Sequence, residues 1–381
     1  MKNLFPFSIA DRKKKRGSPP KTAFNTSSFL RFAIAGLAFF PLLKAKESCA
    51  GYHVNIKDQP DWMKIPLKWL EPKKPVPSHA WTGSLLSPSP AFPGGVYGLE
   101  PYTTATVPTG TYDSKGNLHQ HGPGQSQFDS ISSGWFLKGS PTDHISLDIT
   151  PTFTYAWTPQ SGPGAPQNSH VKFADLPFDI EYRFTDTYSP SISVVFGASA
   201  PTGDYNHLER ASDGVGAGVW KLRYGFNGQF VEPFFKQAVR IRWWAVARTP
   251  LGNADLRDIT SYGTETGFRG EAHPGSTGEE GLAFEFGITK RWLFALDLYN
   301  DWGARTGIKG CSTTATDSTN CQYGSDTIYS KGNISSAWGA APAIEYAPNG
   351  NFGLIAGVQL NAFGTNTSRT LAPQMAVFYA W

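Results

Sequence analysis

The 381-residue chain is poor in charge, in cysteine and in long apolar runs. Charged residues make up 17% of it, against roughly a quarter in an ordinary soluble protein. Only Phe29 to Leu43 is apolar enough to be weighed as a membrane helix, and the mean hydropathy is negative, so a helical membrane bundle is excluded. No phosphate-cradling loop and no dinucleotide fingerprint occurs, and no cofactor is expected. What is abundant points elsewhere. Aromatic residues reach 14% and glycine 40 residues, which disfavours disorder and suits a turn-rich all-β chain.

The formal charge of +4 comes from the first 50 residues, which hold ten Lys/Arg against Asp11 and Glu47. Residues 51–381 carry 24 basic and 28 acidic side chains, a net charge of −4, so nucleic acid is not an expected partner. The apolar run Phe29–Leu43 has the length of a signal-peptide core, and Arg12 to Arg16 supply its positive flank. Ser48-Cys49-Ala50 before Gly51 predicts cleavage after Ala50, giving a signal peptide over 1–50. An uncleaved anchor and lipidation at Cys49 are the alternatives, the second opposed by Lys46 and Glu47. Removing Cys49 leaves Cys311 and Cys321, separated by nine residues of a polar stretch, which in an exported protein reads as a loop disulfide. With no His nearby, two thiolates make a poor zinc cage, and no metal is expected there.

Residues 51–95 are Pro-rich and show neither helical nor strand periodicity. They read either as an extended periplasmic linker or as a plug in which Trp62, Trp69 and Trp81 find burial. From about Leu99 the pattern turns to strict alternation. Ile145, Leu147, Ile149, Pro151, Phe153, Tyr155 and Trp157 form one face of a strand. Leu176, Phe178, Ile180, Tyr182 and Phe184 form another, backed by Asp175, Asp179, Glu181 and Arg183. A soluble sandwich also alternates. These strands, however, reach the nine to eleven residues or more that cross a bilayer, and aromatics gather at their ends. Connections also alternate between short ones (142–143, 187–190, 227–233, 289–291, 347–351) and longer ones (111–127, 158–170, 204–215, 249–280, 306–334, 364–369).

Counting between them predicts an all-β, transmembrane antiparallel up-and-down β-barrel over 96–381. It has about 12 strands, with ten or fourteen as the neighbouring even counts. The strands fall near 97–110, 128–141, 144–157, 171–186, 191–203, 216–227, 234–248, 281–289, 291–303, 335–346, 352–363 and 370–381. Such a chain belongs in the bacterial outer membrane, with lipid as its surroundings.

The sequence stops on Trp381, with Tyr379, Val377 and Met375 at alternate positions before it. This resembles the C-terminal aromatic signal of bacterial outer-membrane β-barrel proteins, which implies recognition by the barrel-assembly machinery; typical members end in Phe. A narrower resemblance lies in Ala200-Pro201-Thr202-Gly203-Asp204-Tyr205 followed by Gly214 to Trp220, with Val107 to Asp113 as an echo. It is similar to the strand-entry motif of the MetA-pathway phenol-degradation family of outer-membrane transporters. The resemblance implies a channel for small solutes, aromatic or apolar compounds among them. Read physically, Pro-Thr-Gly also stops a strand, because Pro lacks a donor and Gly supplies a turn.

With apolar faces toward lipid, the other faces line the interior. Asp148, Asp175, Asp179 and Glu181 then face Lys221, Arg223, Arg240, Arg242 and Arg248, with Glu285, Asp297 and Glu345 further round. Such segregation sets a transverse field able to orient a dipolar solute. The row Arg240, Arg242, Arg248 is the first choice for solute contact, since guanidinium forks bind carboxylates or phosphates. Alternatively these groups pair with one another and close the lumen. The chain is not expected to be an enzyme: His144 and Ser146 share one strand without a hydrolase motif. His119-Gln120-His121 lies in a Gly-rich loop with no carboxylate expected beside it.

Overall fold

The computed structural model describes residues 81–121, 128–160, 167–186, 189–312 and 328–381. The expected signal segment, most of the Pro-rich stretch and Cys321 lie outside these residues. Among the described residues helix is limited to one turn, Ala211–Asp213; the rest of the regular structure is strand. The chain enters the sheet with β1 (Tyr97–Tyr112), on which β2 (Leu118–Gln120) folds back. Next come β3 (Asp129–Gly139), β4 (Ile145–Ile149), β5 (Thr152–Trp157), β6 (Lys172–Phe173), β7 (Leu176–Arg183), β8 (Ser191–Ala200), β9 (Lys221–Phe234) and β10 (Gln237–Pro250). An outer connection carries β11 (Ala254–Arg257) and β12 (Phe268–His273) before β13 (Thr277–Gly287) and β14 (Trp292–Gly303). A second carries β15 (Gly307–Ser312) and β16 (Ile328–Lys331) before β17 (Ser335–Asn349), β18 (Phe352–Thr365) and β19 (Thr367–Ala380).

β4 and β5 are one strand broken at Thr150-Pro151, where proline has no N–H to continue the ladder. β6 and β7 are one strand broken at Ala174-Asp175. Counted so, twelve antiparallel strands close into a barrel as β1 pairs with both β3 and β19. Tyr97 and Trp381 seal the seam by exchanging backbone hydrogen bonds of 3.0 and 2.9 Å. A closed ladder leaves no unpaired backbone edge in hydrocarbon, the condition for strands to span a bilayer. The outer wall is apolar to match: Leu147, Ile180, Phe196, Phe226, Leu298, Ile344 and Met375 are all large and exposed. Aromatic pairs ring both ends. Trp292–Tyr346 and Tyr379–Trp381 lie at the short-turn end, Tyr155–Trp157 and Trp338–Phe363 at the other.

Three local expectations are corrected. The turn expected at 227–233 falls at Phe235-Lys236, with Phe235 at φ 53. Asn227 and Gly228 look like turn residues, yet they sit inside β9 because a neighbouring ring uses the space that glycine leaves. A Cβ on Gly228 would lie 2.2 Å from Trp243 Cζ2. The connection near 364–369 is not long; β18 turns into β19 through Asn366 alone, at φ 49. Finally, the connections 249–280 and 306–334 are not plain loops. Their strands form a separate four-stranded sheet, β11-β12-β15-β16. Its inner face buries Ala254, Leu256, Phe268 and Ala272 against Val219, Tyr205 and Tyr262.

Glycine also serves the ladder itself. Gly197 lies between Asp179 and Arg223 in register, and its missing side chain lets the two charges meet across β8. A Cβ there would sit 2.1 Å from the Phe178 carbonyl oxygen. Gly197→Ala is expected to cost about 1–3 kcal/mol through overpacking, seen as a lower midpoint of heat-modifiable migration in gels. An unchanged midpoint would contradict this account of the strand.

Candidate functional site in the barrel lumen

Residues 81–96, just before β1, run through the inward faces of the barrel. Thr82 Oγ1 donates to Glu345 Oε2 at 2.6 Å, and the backbone N–H groups of Thr82 and Gly83 point at the same oxygen at 3.4 Å. Leu85 N–H donates to Asp297 Oδ2 at 3.1 Å, and Tyr102 donates its hydroxyl to the Ser84 carbonyl at 3.4 Å. Further along, the carbonyls of Ser87, Ser89 and Ala91 accept from Arg242 (3.4 Å), Lys138 (2.7 Å) and Arg183 (3.2 Å). Phe92 N–H then reaches Ser146 Oγ at 3.2 Å, and Gly94 N–H reaches Asp143 at 2.7 Å. An extended chain has no ladder of its own, so its buried backbone groups need such partners. Here inward-facing side chains of seven strands supply most of them.

The lumen has room for this chain because one wall is built of small residues. Ala283, Ala295, Ala341, Ala343 and Ala376 are buried, and Leu85 packs among the last four of them. Two glycines fit even more closely. A Cβ on Gly353 would stand 1.6 Å from Thr82 Cγ2, and one on Gly357 would stand 2.7 Å from Leu85 Cδ1. Leu86 packs over Trp244, Ala283 and Tyr299, which form a floor deeper in the barrel.

Five of the charges singled out from the sequence pair with one another, and two more share Lys138. Arg240 forks onto Glu285, directly opposite it in register, and its guanidinium lies 4.9 Å from the Trp81 ring. Arg242 lies 3.6 Å from the same carboxylate. Arg223 forks onto Asp179 at 2.8 and 2.9 Å. Glu181 and Asp148 share Lys138, at 2.6 and 3.5 Å. Arg248 and Lys221, nearer the long-loop end, make no ion pair within 4.0 Å among the described residues.

Lys138 escaped the sequence reading because β3 (DSISSGWFLKG) has no clean apolar alternation. The accommodating small-residue wall was in principle readable as the run of inward Ala and Gly in β13 to β19. Met375, Val377, Tyr379 and Trp381 alternate along the last strand with the inward Ala376, Phe378 and Ala380. Cys311 is buried on β15.

Outside the lumen, the motif 200–220 forms a tight knot. Asp175 receives the N–H groups of Gly203 (3.1 Å) and Ala217 (2.9 Å), while Tyr205 lies across Gly218. Ser146 pairs with Ser140, whereas His144 bonds the Arg183 carbonyl and lies 3.3 Å from Asp186. The His119–His121 loop does have a carboxylate, against expectation. The β1–β2 hairpin brings Asp113 to 3.3 Å from His119. No group of three or more potential metal ligands occurs among the described residues.

No protein-family model and no curated protein matches the sequence. Solved structures do match in fold. An outer membrane channel from Pseudomonas putida F1 superposes with a TM-score of 0.53 over 77% of this chain and 97% of that one, at 14% identity. The beta domain of the Bordetella autotransporter BrkA gives 0.39, over 76% and 100%, at 10% identity. A mutant of the monoaromatic hydrocarbon channel TodX gives 0.37, over 77% and 92%, at 11% identity. The last two scores are too low to carry an argument. Closed ladder, apolar outer wall and paired aromatic rings together define a transmembrane β-barrel of the bacterial outer-membrane type.

Two predictions come from these contacts. Gly353→Val is expected to push Thr82 off Glu345, exposing residues 81–92 to proteolysis while the barrel stays folded; equal protection in both proteins would refute the fit. In the outer connection, Arg269 and the Gly267 N–H hold the Asp258 carboxyl below the ordinary carboxylate range. A depressed folded pKa stabilises above the unfolded value and is lost as pH falls through the folded one. The amide of Gly267 should therefore stay protected from exchange down through about pH 4, the ordinary aspartate range, and open below it.

Proposed function

We propose that this barrel is an outer-membrane channel for small solutes, held closed by the segment 81–92. The observation that supports the reading is the set of buried lumen side chains that engage that segment, Arg242 and Lys138 doing so in addition to their carboxylate partners. Glu345 and Asp297, both fully buried, accept from it, and Arg183, Arg242 and Lys138 donate to it. A barrel meant only as a scaffold could fill its core with paired charges, as Arg240 and Glu285 do. Carboxylates facing a removable chain cost more, since withdrawing the chain leaves them buried and unpaired unless water or a solute enters. On this reading Arg240, Arg242, Arg223, Asp148, Asp179, Glu181 and Glu285 line the path but are occupied in the closed state. Arg248 and Lys221 remain available at its mouth. Aromatic or apolar compounds belong to the proposed cargo, with Phe136 beside Tyr102 as surface for them.

The proposal includes export through the 1–50 signal, a Cys311–Cys321 disulfide in the outer connection, and reading of Trp381, Tyr379, Val377 and Met375 by the assembly machinery. A second reading, a surface-interaction barrel with a sealed lumen, draws on the four-stranded outer sheet. Single-channel recording separates them. The refolded 51–381 chain should give small steps, and the chain lacking 51–95 larger ones. Silence from both would leave the sealed barrel.

A further inference from the structure

We infer that the outer part of the lumen holds a binding site for small zwitterions, between Arg248 and Lys221 on one side and Glu279 and Asp301 on the other. The inference rests on reading the lumen as a solute path, and it adds a ligand class to the apolar cargo.

Glu279 of β13 lies directly opposite Asp301 of β14, and Arg248 of β10 lies directly opposite Arg223 of β9. Like charges placed opposite each other weaken a ladder. Both repulsive pairs are on neighbouring strands at one level of the barrel, where a swap of one residue would have made them attractive. Arg248 lies near enough to Glu279 and Asp301 to feel both charges, but among the described residues no ion pair within 4.0 Å joins them. Arg223 is committed to Asp179. Asp175, on the side of Lys221, is committed to the N–H groups of Gly203 and Ala217.

Glu279 accepts one hydrogen bond, from Trp244 Nε1 at 2.8 Å, which fixes its carboxylate and leaves the second oxygen open. Among the described residues the side chains of Asp301, Arg248 and Lys221 make no hydrogen bond and no ion pair within 4.0 Å. Each is half-buried, so none is simply a solvated surface charge.

The level below is closed by Leu86 on Trp244 and Tyr299, with Tyr299 bonded to Asn361 at 2.5 Å across Gly339. The charged level is therefore the first one met from the long-loop end above the occupied lumen. An anion alone would meet the Glu279–Asp301 pair, and a cation alone would meet Arg248 and Lys221. A molecule carrying both charges a few atoms apart satisfies the two walls together, with its carboxylate on the guanidinium and its ammonium on the acids.

Titration calorimetry on the refolded 51–381 protein tests this with β-alanine and its single-charge counterparts, propionate and propylammonium. β-Alanine should bind at least about tenfold more tightly than either, and Arg248→Gln or Asp301→Asn should each cost about tenfold in affinity. Both substitutions remove one member of a repulsive pair, so heat-modifiable migration should show a midpoint at or above that of the parent. Lys221→Gln serves as a third variant should either fail to fold. Propionate or propylammonium binding as tightly as β-alanine overturns the proposal, as do folded variants of unchanged affinity or no binding of any of the three. Conductance of the same preparation separates the two claims. Binding without conductance sinks the channel and keeps the site, while conductance without binding does the reverse.

Discussion

Everything in this molecule depends on the pairing of its first strand with its last. Without the β1–β19 ladder the sheet would carry two raw edges, and no arrangement of apolar side chains offsets unpaired peptide groups in hydrocarbon. The seam runs nearly the full length of both strands, from Gly98 opposite Ala380 to Tyr112 opposite Thr367. Closure then defines an inside, and the two faces of each strand acquire opposite duties. Outward positions become a lipid surface; inward positions must be filled, paired or wetted.

The inside is divided. On β13 to β19 many inward residues are Ala or Gly, and the barrel is filled there by residues 82–86. β3 to β10 carry the lumen cations Lys138, Arg183, Arg223, Arg240 and Arg242, which reach carboxylates or the carbonyls of that same chain. The extended segment is therefore gripped differently along its length: by shape and carboxylates where it starts, by cations on its carbonyls where it returns. A buried ion pair contributes little net stability, but removing one partner is costly, so this lumen favours definition over strength.

Much of the fold could be read from the chain because a barrel writes its period into every strand. The alternation around Leu176–Phe184 needs no knowledge of neighbours. Where the reading slipped, tertiary packing overrode a local signal. Asn227-Gly228 resembles a turn, yet an indole from the next strand fills the glycine's space. β3 hides its inward Lys138 on a face whose other positions are Ser130, Ser132, Gly134 and Phe136. The acidic and basic residues of the lumen were recognisable one strand at a time, but their partners were not, since register decides who meets whom. The link from Arg223 past Gly197 to Asp179 spans three strands and cannot be inferred from any one of them. Nor could the route of residues 81–96 be derived, because a chain without periodicity carries no statement of what it will touch.

The junction between that segment and β1 has a mechanical consequence. Phe92 is set edge-on against Phe378, Gly94 and Gly95 are bonded to Asp143 and Ser140, and Val96 leads straight into the seam strand. The far part, from Thr82 to Ser89, is held by hydrogen bonds to single side chains. On the proposed channel reading, a pull at Trp81 releases this strip one contact at a time and stops at Phe92, so the strip acts as a flap on a fixed pivot. A flap of this kind stays at high local concentration beside its own slot, and its reseating is a unimolecular event that needs no search.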